Sequence, residues 1–193
     1  MKATLAAILM LASAGPLASQ TAAPPPAEQQ IAAAVLSLPP SLRADATVLG
    51  YGADGKLVSL RKGGGSMICL ANNPKGEQFH VACYHDSMEP FMARGRSLRA
   101  SGVTGGQVDS VRFREIKEGK LALPTNPAAL YQLFGGSFDP VKNEVIGARA
   151  LYVVYIPQAT GASTGLAEKP TGTLPWIMWP GTPKAHIMFT PSM

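Results

Sequence analysis

The residues best equipped for chemistry fall in one short run, His80-Val81-Ala82-Cys83-Tyr84-His85-Asp86. It holds one of the two cysteines, two of the three histidines and a carboxylate. On a β-strand alternate side chains share a face, so Cys83 and His85 point together with Asp86 just beyond, and His80 points away. A zinc or copper site there would need more donors, for which Cys69 and His186 are available. A free Cys83 thiolate beside a histidine base would instead be a nucleophile. One reading of the chain is therefore a metal-dependent or hydrolytic enzyme using Cys83, His85, Asp86 and His186. The competing reading joins Cys69 to Cys83 in a disulfide, which an oxidising compartment forms and keeps. That bond removes the thiolate and leaves the histidines on a strand. Closing a loop of this size is worth roughly 3 kcal/mol in the chain-entropy picture.

Other catalytic sets are weaker. Ser66 follows Gly63-Gly64-Gly65 but lacks the small-x-Ser-x-small elbow of a serine hydrolase. The same glycines precede a β-prone segment rather than the helix that a phosphate-cradling loop requires, so they read as a mobile connection. Ser137-Phe138-Asp139 reads as a turn or loop. Nothing in the sequence calls for a cofactor or a resident metal ion. A binding reading rests on Tyr152, Tyr155, Trp176 and Trp179, which would line a site for an apolar or sugar-like ligand beside the Gly/Ser/Thr-rich loop 158–173. The partner would then be a small molecule or an envelope protein, and a non-enzymatic binding or accessory role follows.

The elements that must position these residues come from periodicity and turn chemistry. Residues 67–71 and 79–84 are rich in β-formers, and Asn72-Asn73-Pro74-Lys75-Gly76 between them is a turn, so the two cysteines sit on a hairpin, near its open end. Residues 46–51 and 57–61 flank Asp54-Gly55 as another hairpin. Between Ala27 and Leu38, Ile31, Ala34, Val35 and Leu38 repeat at helical spacing, an amphipathic helix that Pro39-Pro40 stops. Ser87 is placed to cap a helix carrying Met88, Phe91, Met92 and Leu98. Residues 104–118 fit a helix or a strand, and the helix is preferred; for 128–134 periodicity leaves both open. Residues 151–156 form an unbroken β-branched and aromatic run, a central strand covered on both faces. The segment 158–173 reads as structureless, 174–183 as a rigid aromatic wall, and 186–189 as a last strand.

Compartment and class follow from the ends and the composition. Met1-Lys2, the apolar run to Gly15 and the small residues before Gln20 read as a secretory signal cleaved between Ser19 and Gln20. The run is too short to span a bilayer, and no membrane span is expected after cleavage. Residues 1–19 are then the signal peptide, 20–30 a Pro/Ala-rich flexible leader, and 31–193 one α+β domain, large enough for a real core. The expected architecture is an antiparallel or mixed sheet of five to seven strands with about three packed helices and one disulfide. The formal net charge of +5 is modest, and the arginines are not interleaved with aromatics, which argues against a nucleic-acid surface.

Ala46-Thr47-Val48-Leu49, then Gly63-Gly64-Gly65-Ser66-Met67-Ile68-Cys69-Leu70, then Pro175-Trp176-Ile177-Met178 and Pro180-Gly181-Thr182-Pro183-Lys184-Ala185-His186-Ile187-Met188 resemble a group of small exported bacterial proteins of no assigned activity. The resemblance implies export to the periplasm or beyond and one α+β domain. It transfers no activity, cofactor or site residue.

Overall fold

A computed structural model describes residues 23–190. The expected signal peptide and the first residues of the leader lie outside the described residues. Eight strands form one mixed sheet: β1 (Thr47–Tyr51), β2 (Leu57–Arg61), β3 (Met67–Leu70), β4 (His80–His85), β5 (Ala128–Phe134), β8 (Arg149–Tyr155), β9 (Trp176–Met178) and β10 (His186–Phe189). Their order across the sheet is β2-β1-β3-β4-β5-β8-β10-β9. Every pairing is antiparallel except β1 with β3, which is parallel. The remaining strands, β6 (Ser137–Asp139) and β7 (Glu144–Ile146), make a separate hairpin. The chain is thus a single α+β domain with a larger sheet than expected, because segments as short as β9 show themselves as strands only once paired with a neighbour.

Each face of the sheet meets a different layer. Tyr84, Leu130, Val153 and Tyr155 lie on one face, in a core with Met88 and Phe91. The helices α3 (Glu89–Ala100) and α4 (Gly106–Lys117) cover that face, bringing Met92, Phe113 and Ile116 to it. On the opposite face Val48, Met67, Cys69 and Cys83 are buried beneath Ala34, Val35 and Leu38. Those residues belong to α1 (Ala27–Val35) and the turn leading into the short α2 (Pro40–Arg43). Burial of these apolar surfaces is the main force holding the layers together.

The ambiguous segments are decided by tertiary pairing. Residues 128–134 become β5 because β4 and β8 form ladders with both of its edges. Residues 106–117 become a helix, burying Val108 and Arg112 at i, i+4 on the same face. Other expectations need correction. The helix α1 starts at Ala27, where the helical pattern was expected to begin, so the leader drawn over 20–30 ends earlier than expected. Gln30 anchors it, since Nε2 donates to the carbonyls of Pro25 and Tyr51 and Oε1 accepts the Tyr51 N–H. Ser87 caps nothing; His85 caps a 3-10 turn at Asp86–Met88, and α3 begins after it. The 158–173 segment is not structureless. It contains α5 (Gly161–Thr164), closed by a Thr160–Ser163 capping box, and Ala167 bridges to Trp176. The triglycine is not a mobile connection either, because Gly65 N–H donates to Asp45 and Gly63 N–H to the Thr47 hydroxyl. Ser137-Phe138-Asp139 is a strand, β6, where a turn or loop was expected.

The cysteines are joined as expected, directly opposite each other on β3 and β4 with Cα atoms 3.9 Å apart. The register runs from Met67 opposite His85 to Leu70 opposite Ala82, which places the bond one pair from the loop, not at the open end.

Candidate functional site

The site is built from what the helices leave uncovered. On the face carrying the disulfide, α1 packs chiefly over β1, β2, β3 and β4. Strand β8 was expected to be covered on both sides, but Tyr152 keeps 37 % of its surface exposed. The alternation of β8 explains this: Val153 and Tyr155 face the α3–α4 core, so Tyr152 and Val154 face the open side. Tyr131 of β5 lies opposite Tyr152, and the two rings meet edge to face at 5.6 Å. Phe189 of β10, also 37 % exposed, extends the surface by one strand.

This surface floors a groove of two lobes. One lobe, about 550 Å³, lies over Ala129, Tyr131, Tyr152, Val154 and Phe189, with Thr173 and Thr190 at the rim. The other, about 450 Å³, is walled by residues 36–40 and 143–145. Tyr131 and Tyr152 line both lobes, so the tyrosine pair is the saddle between them. Each volume falls in the range of roughly 300–1,000 Å³ typical of small-molecule sites. Arg43 stands in the second lobe with Nε donating to the Leu38 carbonyl and one terminal nitrogen to that of Leu36, which fixes a positive charge at this end. Glu144 is the acidic counterpart on the opposite wall.

The four aromatics singled out in the sequence do not converge. Tyr152 lies in the groove. Tyr155 points to the other face, where its ring packs 5.0 Å from that of His186 and burial pushes its hydroxyl up to about 12. Trp176 pairs with Met188 and shares that face, half-buried. Trp179 projects from the β9–β10 turn, 48 % exposed and at φ 58°, with Lys184 Nζ 4.7 Å from its ring. The groove's other residues, Tyr131, Phe189 and Arg43, were missed. Ala129, Tyr131 and Leu133 alternate with Leu130, Gln132 and Phe134, so both sides of β5 look apolar and neither announces a site.

The enzyme constellation does not assemble. Cys83 is committed to the disulfide. His85 and His186 sit on opposite faces, with β5 and β8 between their strands. His85 Nδ1 accepts the Ser87 N–H at 3.3 Å and meets Asp86 at 3.3 Å, so it finishes the turn after β4. His186 is buried and donates Nδ1–H to the Lys184 carbonyl at 2.6 Å. Among the described residues no group of three or more His, Cys, Asp or Glu side chains is placed to hold a metal ion.

The densest charge cluster is structural. Asp109 of α4 accepts hydrogen bonds from Arg112 and from Lys184, the latter at 2.6 Å. Burial works to raise the Asp109 carboxyl, but the bonds from Lys184 and Arg112 outweigh it and hold it below the usual carboxylate range. Arg112 lies over the Phe91 ring and donates to the Phe91 carbonyl. The cluster ties α4 to α3 and to the β9–β10 turn and opens onto none of the cavities described.

No family model matches this chain, and no curated protein or solved structure matches it either.

Proposed function

We propose that this chain is an exported, non-enzymatic binding protein that holds an amphiphilic small molecule on the open sheet face. The observation that carries the reading is the two-lobed groove across the Tyr131–Tyr152 pair. An apolar body would lie along Ala129, Tyr152, Val154 and Phe189, where it displaces water from surface the fold leaves unburied. An anionic head would lie in the second lobe toward Arg43, whose charge is already held in place. The leader-like N-terminus and the disulfide support export, and no helix among the described residues is long and apolar enough to cross a membrane.

The test is calorimetric titration of the protein recovered from the periplasm with dodecanoate. Binding is expected, with Tyr152→Ser weakening it by roughly tenfold while the circular-dichroism melt stays unchanged. Absence of heat, or an unaffected Tyr152→Ser variant, overturns the proposal. So does a dimer that Tyr152→Ser converts to monomer, since a second copy would then cover the face.

A further inference from the structure

We infer a second binding site, for a neutral oligosaccharide, in the cleft between the start of α1, the β3–β4 connection and the β6–β7 hairpin. This cleft has a volume of about 480 Å³ and shares no lining residue with the tyrosine groove. Its chemistry differs as well. The lining carries the amides of Gln29, Asn72, Asn73 and Gln78, a single carboxylate, Glu77, and no lysine, arginine or histidine. An anionic ligand would find no cation there, and a purely apolar one would leave the amides without partners. A sugar hydroxyl both donates and accepts, and an amide side chain presents both complements. The half-buried rings of Phe79 and Phe138 supply apolar surface for the C–H faces of a pyranose ring.

The walls are fixed before any ligand arrives. Asn72 Oδ1 accepts the His80 N–H at 2.8 Å, and Asn73 Oδ1 accepts the Lys75 N–H at 3.0 Å. Each amide therefore keeps its two N–H donors for another partner. The disulfide closes the base of the loop that carries them. Gln30 clamps α1 to β1 on the second side, and the Gly135 N–H donates to the Phe79 carbonyl at the entry to β6. A preorganised wall loses less entropy on binding, which favours a ligand that makes only modest contacts.

The test uses the full chain, labelled with ¹⁵N and titrated with maltotriose and with tri-N-acetylchitotriose. At least one is expected to shift amide signals of residues 72–79 and 136–140 and to leave those of β8 and β10 unmoved. Gln78→Ala, on the exposed loop, and Phe138→Ala should each weaken binding by roughly tenfold. Tyr152→Ser should not, which separates failure here from failure at the tyrosine groove. No response to either sugar, shifts confined to another surface, or undiminished binding by Gln78→Ala overturns the inference. A proline-rich peptide that shifts the same residues when neither sugar does overturns it too.

Discussion

The Cys69–Cys83 bond does more at the residue scale than join two strands. Cys83 Sγ lies 3.2 Å from the Ser37 hydroxyl and 3.3 Å from the Ala34 carbonyl, so the bond is also a contact point for the end of α1. With 14 residues of separation, its loss should cost roughly 3 kcal/mol and lower the melting temperature by roughly 6–12 °C. Thermal melts with and without reductant should show that drop, and double Cys→Ala replacement should reproduce it. His85→Ala should not, because that side chain serves only the exposed turn. Coincident oxidised and reduced melts would rule out a stabilising role. The pairing was legible in the sequence because two cysteines flanked a recognisable turn. The aromatic set was not, because proximity in sequence says nothing about which face a side chain takes: Tyr152 and Tyr155 are three apart on one strand and therefore back to back.

At the scale of elements, the decisive connection is the one between β2 and β3, which must bring β3 back alongside β1 in parallel. It does so by laying Gly63 against the backbone of Asp45 and Ala46, where a β-carbon would run into the Asp45 carbonyl. Gly64, next in sequence, has open space where its β-carbon would go. Gly63→Ala should therefore destabilise the protein by about 1–3 kcal/mol through overpacking. Gly64→Ala should be neutral or stabilise by about 0.4–1 kcal/mol through the unfolded chain. Urea denaturation of the two variants decides it, and equal midpoints would remove the close-approach argument. From the sequence the triglycine could be separated from a phosphate loop, since no helix follows. Its packing role could not be read, because the residue it touches comes from the far side of a hairpin. The helices α1 and α3 and the first two hairpins were legible for the opposite reason: their periodicity and turn residues are local.

At the scale of the whole molecule, the α+β class was legible from the mixture of helical and strand-like segments, while the strand order and the uncovered face were not. The order depends on pairings between strands far apart in the chain, and the uncovered face on how far α1 reaches across the sheet. The His186 imidazole reports on that assembled state. Burial, aided by the Lys184 charge, holds it below its ordinary range against the Lys184 carbonyl bond, which favours the protonated form. The unfolded chain takes up this proton near pH 6.5, and the folded chain takes it up only at lower pH. Between those values the unfolded state binds more protons, so stability falls as the pH drops through that window and levels off below it. His186→Gln should flatten this component of the stability profile as the pH falls below about 6.5. Denaturation midpoints of wild type and variant that fall in parallel would exclude His186 as its source.

The two outer strands carry a consequence for self-assembly. A sheet with a bare, regular rim is a template on which further chains can polymerise. Here the β9 rim is occupied, since Ala167 bridges to Trp176 and accepts the Ile177 N–H. The β2 rim is irregular: its register shifts where β1 passes from Val48 to Leu49, and Arg61 is pulled inward to the carbonyls of Arg43 and Ala46. Lys56 and Lys62 flank it with charge. A bulged, lysine-bordered rim is a poor seed for fibril growth, so the sheet ends where its eighth strand does.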